Sequence, residues 1–158
     1  SESGELGIRM PYRMDGYYKK PEETEQVLNG DLFWTGDAGE VDAQGRARIL
    51  GRVRDMIVLE NGEKIHAGDK DADLMQLPHV ADAAVIGLNG EIAAVIVPED
   101  PVYWDKIMTA MNAYNQNYSQ IHRIKRTILR TEPLPRTSVG KLRRYLLEQA
   151  YQQETAVS

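Results

Sequence analysis

The stretch "ADAAVIGLNGEIAAVIVP", residues 81–98, sets two apolar runs on either side of Asn89-Gly90. An Asn-Gly step between apolar runs reads as a hairpin turn. Neither run alternates with polar residues, so the hairpin belongs to a sheet covered on at least one face. Two further hairpins precede it. "AGEVDAQGRARILGR" (38–52) places strands 39–41 and 46–50 around a turn at Asp42-Ala43-Gln44-Gly45. "MIVLENGEKIH" (56–66) turns at Asn61-Gly62, the strongest short hairpin signal in the chain. "ELGIRM" (5–10) reads as a strand. "DGYYKKPEETEQVL" reads as a loop entering a short helix, with Pro21 in its first turn and glutamates behind it.

Helices are expected in the remaining gaps. Residues 68–76 form a short one with a poor apolar pattern. Residues 102–117 place Val102, Ile107, Met108, Met111 and Tyr114 near one stripe. "HRIKRTILR" (122–130) alternates like a strand, with Ile124 and Ile128 to one side. "KLRRYLLEQAYQQ" (141–153) reads as a final helix carrying Leu142, Tyr145, Leu146 and Gln149. Strands paired in hairpins, mixed with helices, imply an α+β fold. The composition shift near Gly51–Asp55 is the best candidate for a domain boundary.

The 158 residues are 42% apolar and 27% charged, as in an ordinary soluble globular chain. No apolar run approaches the roughly 20 residues that span a bilayer, so no transmembrane segment is expected. The chain has no cysteine, which excludes disulfides and thiolate metal sites and is compatible with a reducing cytoplasm. His66, His79 and His122 lack metal-ligand spacing and read as surface or capping residues; no metal site is expected. Net charge is −5 but uneven. Arg123, Lys125, Arg126, Arg130, Arg136, Lys141, Arg143 and Arg144 face only Glu132 over residues 121–145. Such a basic segment on an acidic chain suggests a local anion site; it lacks the aromatic interleaving of a nucleic-acid binder, so no nucleic-acid partner is expected.

Three segments then call for one explanation. They are "TGD" (35–37) followed by Asp42, Gly45 and Gly51-Arg52; "NGE" (61–63); and "LPRTSVGKLRR" (134–144). In this order and spacing they resemble the C-terminal part of the adenylate-forming superfamily, which includes acyl-CoA synthetases, luciferases and peptide-synthetase adenylation domains. "ELGIRMPYRMDGYYKKPEET" (5–24) resembles the segment that precedes "TGD" in that family, so the likeness covers nearly the whole chain. The 56–66 hairpin most resembles long-chain fatty-acyl-CoA synthetases.

The resemblance implies a division into residues 1–53, the trailing β-rich segment of a large AMP-binding domain, and 54–158, a mobile C-terminal domain. That domain would hold a three-stranded sheet, helices and a two-stranded hairpin. Asp37, after Gly36 in a tight turn, and Arg52 would grip the ribose of ATP by carboxylate and guanidinium hydrogen bonds. Lys141 would be the catalytic lysine. Where a carboxylate attacks the α-phosphate of ATP, two anions meet, and a compact ammonium on a flexible stem offsets their repulsion. Read by itself, Lys141 after Gly140 stands at the mouth of a helix. Its role requires an exposed amine, not one locked in a rigid interior. Arg54 matches the family's hinge, Gly62 would let the pantetheine arm of CoA pass close to backbone, and Lys64 matches a phosphate-contacting position in some relatives.

The likeness also has gaps. The family's phosphate loop, its threonine and glutamate for nucleotide and Mg2+, and the acyl pocket have no counterpart in these residues. The chain is therefore expected to be inactive alone and to need a large N-terminal domain as partner, with ATP, Mg2+, CoA and a fatty acid as the intact enzyme's reactants. In 66–80, Lys70 and Asp73 stand where apolar side chains are expected. Unpaired charges cost too much to bury, so the helix there is expected to be rotated, or short and poorly docked, and Gly68 weakens it further. The rival readings are an aryl-CoA ligase, a peptide-synthetase adenylation domain, or a stand-alone non-catalytic module that binds nucleotide or a partner.

Overall fold

The computed structural model describes residues 4–155. The chain forms two compact units, one up to Met56 and one from Ile57 onward.

In the first unit a long strand, β3 (Leu32–Val41), organises the rest. β1 (Glu5–Arg9) pairs with it antiparallel. So do the two-residue β2 (Leu28–Asn29) and β4 (Ala47–Arg52). Helix α1 (Pro21–Val27) opens with Pro21 at its first position and Glu22 and Glu23 in the first turn, as the sequence predicts. Ala38 is the one buried apolar side chain among the described residues of this unit. Ile8, Met10, Tyr12, Tyr17, Tyr18, Val41, Ile49 and Leu50 are exposed.

The second unit is built on the 81–98 hairpin. β7 (Val80–Leu88) and β8 (Glu91–Pro98) turn at Asn89-Gly90, where both residues have positive φ, the type I′ geometry. β9 (Ile124–Leu129) lies parallel to β8. The crossover between them carries α3 (Trp104–Asn115), as a parallel connection requires. The sheet is covered on both faces, which is why its strands do not alternate. On one face Ala83, Val85, Ile92, Ala94 and Ile96 pack with Leu74, Ile107 and Met111. On the other, Ala84, Ile86, Leu88, Ala93 and Val95 pack with Leu134, Leu147 and Tyr151. Leu74 belongs to α2 (Ala67–Leu74), Leu147 and Tyr151 to α4 (Arg144–Thr155). Short strands β5 (Met56–Val58) and β6 (Lys64–His66) form the separate two-stranded sheet.

Several expectations need correction. Ile124 and Ile128 do not share a side: Ile124 joins the α3 face and Ile128 the α4 face. The register slips by one residue between Ile92–Ile124 and Ala93–Arg126, and that bulge inverts the strand's facing. Val102 is 75% exposed, because Pro101–Tyr103 form a 3-10 turn ahead of α3. The final helix begins at Arg144, not Lys141, and turns Leu147 and Tyr151 inward while Tyr145 is exposed.

Helix α2 is short, but it is docked: Ala67 and Leu74 are fully buried. Lys70 and Asp71 point inward and find partners, while Asp73 stays exposed and is still hydrogen-bonded. Asp71 accepts from Val85 N–H at 2.6 Å and pairs with Arg144 Nη2 at 2.6 Å. Asp73 accepts from the hydroxyls of Tyr114 and Tyr118 at 3.1 and 3.2 Å. Lys70 Nζ lies 3.5 Å from the centre of the Tyr118 ring. Gly68 is explained by the His66 ring, since a Cβ there would lie 2.8 Å from its Cε1.

Candidate functional site

The first unit brings Asp37 and Arg52 together. They are opposed across β3 and β4, and Arg52 Nη1 lies 3.0 Å from Asp37 Oδ1. The same nitrogen donates to the Thr35 carbonyl at 2.9 Å. Asp37 is not in a tight turn; the Thr35–Asp37 stretch is a bulge inside β3, opposite β1. Gly36 has φ of +72°, and a Cβ on it would stand 3.2 Å from Arg52 Nη1, so glycine lets the guanidinium lie against the backbone. The bulge is pinned by Gly36 N–H to Glu5 Oε1 at 2.8 Å, Asp37 N–H to Thr35 Oγ1 at 3.1 Å and Thr35 Oγ1 to the Leu6 carbonyl at 3.0 Å. The pair is half-exposed, and a polar diol could share its oxygens and N–H groups. Arg54 follows, exposed, within a 3-10 turn at Val53–Asp55.

In the second unit the remaining predicted residues stand on two hairpins with the same turn. Leu59 N–H bonds the Glu63 carbonyl, Gly62 N–H bonds the Leu59 carbonyl, and Gly62 has φ of +82°. Thr137 N–H bonds the Lys141 carbonyl, Gly140 N–H bonds the Thr137 carbonyl, and Gly140 has φ of +81°. This is a type I turn closed by a left-handed glycine, a three-residue loop and not the two-residue Asn-Gly turn. Gly62 has no atom within 4 Å of where a Cβ would stand, so its backbone is open to close approach. Lys64 is exposed at the start of β6.

Lys141 stands just beyond its glycine on a hairpin stem, not at a helix mouth. Arg136 and Leu142 face each other across that stem, and Arg143 N–H closes it on the Pro135 carbonyl at 2.8 Å. Leu142 packs on the α4-side core, and the alternation of an extended stem sends Lys141 outward. Its side chain is exposed and has no hydrogen-bond or ion-pair partner among the described residues.

Three pairings escape sequence reasoning. Arg136 Nη2 binds both Asp82 oxygens at 2.8 and 2.9 Å, and its Nη1 donates to the Gly140 carbonyl at 3.1 Å. Arg144, at the end of the "PRTSVGKLRR" motif, is buried, donates to the Val85 carbonyl and pairs with Asp71. Glu63 meets His122 Nε2 at 2.9 Å; that bond, with one from Asn61, holds its carboxyl below the usual value of 4.5. Each joins residues 54 to 73 positions apart in Arg136–Asp82 and Arg144–Asp71, or 59 apart in Glu63–His122, so no local signal could have found them.

A pocket of about 220 Å³ beside the Gly62 hairpin is lined by Glu60, Gly90, Glu91, Gln120, Ile121 and Lys125. It is smaller than the ~300 Å³ lower bound of ordinary ligand sites and is not apolar. Among the described residues no group of three His, Asp or Glu could hold a metal ion, and no helix is long and apolar enough to cross a membrane.

The model of the AMP-binding enzyme C-terminal domain matches residues 54–156. The chain is 32% identical over 155 residues to the 3-hydroxybenzoate–CoA/4-hydroxybenzoate–CoA ligase of Thauera aromatica, covering 94% of this chain and 29% of that protein. It is 30% identical over 154 residues to the long-chain-fatty-acid–CoA ligase FadD13 of Mycobacterium tuberculosis, covering 94% of this chain and 30% of that protein. Among solved structures, the anthranilate CoA ligase AuaEII in complex with anthranoyl-AMP superposes with a TM-score of 0.75 at 26% identity, over 96% of this chain and 30% of that one. The chain thus spans under a third of the relatives it matches. It belongs to the adenylate-forming superfamily, and its second unit carries the AMP-binding enzyme C-terminal domain.

Proposed function

We propose that this chain is the moving end of a CoA ligase that activates a carboxylic acid as its adenylate and then passes the acyl group to CoA. In the first step the acid's carboxylate attacks the α-phosphate of ATP and pyrophosphate leaves. In the second, the CoA thiol attacks the acyl carbonyl and AMP leaves. Lys141 places its ammonium against the oxyanions of the first step. Asp37 and Arg52 hold the ribose hydroxyls. Gly62 and Lys64 serve the CoA side of the second step, and Arg54 lies at the hinge between the two arrangements. The phosphate loop, the Mg2+ ligands and the acyl pocket belong to a large partner domain outside these residues, so the chain by itself is inactive. The protein works in the cytoplasm.

The observation that supports this most is the amine of Lys141, held outward on a short stem with no ion-pair partner among the described residues. The substrate is a medium- or long-chain fatty acid, in keeping with the likeness to FadD13. An aryl acid is the second reading, favoured by the likeness to the hydroxybenzoate ligase, at 32% identity. Two measurements on the full-length protein test the proposal. In Lys141→Ala, pyrophosphate release should fall far more than thioester formation from supplied acyl-adenylate; equal loss in both steps would count against it. A panel of butyrate, laurate, palmitate, benzoate and 4-hydroxybenzoate decides between the two substrate classes.

A further inference from the structure

We propose that Arg136 is a positioning residue for Lys141, setting the direction in which its side chain leaves the hairpin. The inference rests on the reading of Lys141 as the adenylation lysine. The peptide unit between Gly140 and Lys141 is held at both ends. Its carbonyl accepts from Arg136 Nη1 at 3.1 Å, and its N–H donates to Thr137 Oγ1 at 3.1 Å. A peptide is planar, so fixing its oxygen and its nitrogen fixes the rotation of the plane. With the Lys141 carbonyl held by Thr137 N–H at 2.8 Å on the far side of the Cα, that plane sets where the Cα–Cβ bond of Lys141 points.

Gly140 makes the clamp necessary. At φ of +81° with nothing within 4 Å of its Cβ position, the glycine leaves this peptide free to flip unless something restrains it. The restraint is referred to the rigid part of the unit. Arg136 Nη2 grips both oxygens of Asp82, and Asp82 sits on β7, next to fully buried Ala84 and Val85, with Oδ1 also taking the Ala83 N–H at 2.9 Å. One guanidinium therefore spans the sheet and the turn, a geometry that a planar fork can make and an ammonium cannot.

The energetics separate this role from plain anchoring. The Arg136 side chain is 42% exposed, and exposed ion pairs contribute little to folding. The stem keeps its own backbone bonds and Leu142 in the core without it. Losing Arg136 should thus loosen one peptide and leave the fold standing, while misplacement of a catalytic group by about 1 Å can cost up to 100-fold in rate.

The test uses the full-length protein with the acid that the panel above selects. It compares Arg136→Ala, Arg136→Lys, the exchanged pair Arg136→Asp with Asp82→Arg, and Lys141→Ala. In Arg136→Ala we expect kcat for pyrophosphate release to fall about 10- to 100-fold, with KM for ATP and thioester formation from supplied acyl-adenylate both within about twofold. The melting temperature should drop by a few degrees at most. Arg136→Lys keeps the charge opposite Asp82 but not the fork, so it should hold the melting temperature while kcat stays near that of Arg136→Ala. The exchanged pair restores the ion pair but not the bond to the Gly140 carbonyl, so it should recover melting temperature without recovering kcat. Full recovery of kcat in the exchanged pair would overturn the proposal, since anchoring alone would then suffice. A normal rate in Arg136→Ala beside a selective loss in Lys141→Ala would overturn it while leaving the Lys141 reading intact. Absence of selective loss in Lys141→Ala would remove both. Should Arg136→Ala fail to fold, the lysine variant and the exchanged pair still decide.

Discussion

Lys70 shows what a single charged side chain can do to this fold. It is 7% exposed, and its Nζ has no hydrogen-bond partner among the described residues. The Tyr118 ring at 3.5 Å and the carboxylate of Asp73 favour its charged form, but loss of water outweighs them and pushes the ammonium below its ordinary 10.5. The unfolded chain keeps that proton up to 10.5, while the folded chain releases it earlier. Over the window between the two values unfolding takes up a proton, so this group's contribution to stability is poorest at low pH and improves as pH rises. Tyr114 acts the other way: burial raises its phenol above the ordinary 10.0, so its effect appears only at and above that pH. Urea unfolding at about pH 7 and about pH 9.5 should therefore show Lys70→Met gaining about 1 kcal/mol over wild type at the lower pH and less at the higher. A methionine keeps the length and the contact with the ring. An advantage that does not shrink with pH would show that Lys70 carries no such penalty.

Among the elements, the hairpins were the most legible in the sequence, because turn chemistry is local. The strands around 42–45, 61–62 and 89–90 stand where the apolar runs and glycines put them. What local pattern misses is how a turn is closed. Gly62 and Gly90 look alike in the sequence, each after an asparagine. Gly62 completes a three-residue turn in open space, while Gly90 is the second residue of a type I′ turn pressed on Glu60. A Cβ at Gly90 would stand 2.6 Å from Glu60 Cγ and 3.2 Å from Glu60 N. Gly62→Ala should cost about 1–2 kcal/mol, the price of the left-handed backbone alone. Gly90→Ala should cost more, because backbone must also shift. Chemical denaturation of both variants checks the order, and equal losses would contradict the packing seen at Glu60. The α2 region was misread for a related reason: Lys70 looks unburiable until the Tyr118 ring arrives from a distant part of the chain, and Asp73 stays exposed, bonded to Tyr114 and Tyr118. The β9 bulge was invisible too, since one unpaired residue leaves no mark on an alternating strand.

Over the whole molecule the two units differ in what they bury. The second has apolar side chains sealed on both faces of its sheet; the first has Ala38 and a row of exposed aromatic and aliphatic residues. Local stability follows buried apolar contact, so hydrogen exchange should find slow amides in β7 and β8 and fast ones throughout β1 and β4. Comparable protection in both would mean that the first unit is stabilised by something other than a core. The candidate residues divided the same way in legibility: Asp37, Arg52, Gly62 and Lys141 could be proposed from their likeness to the family's motifs, but the side chains that hold them in place could not. One feature of the second unit bears on how the proposed enzyme would keep order. The Gly62 hairpin roots through Leu59 in the core on one side of the sheet, and the Lys141 hairpin roots through Leu142 in the core on the other. Two tools mounted back to back on one plate cannot address the same substrate at once. Mutual exclusion of the two chemical steps would then need no signal and no timing, only a turn of the plate.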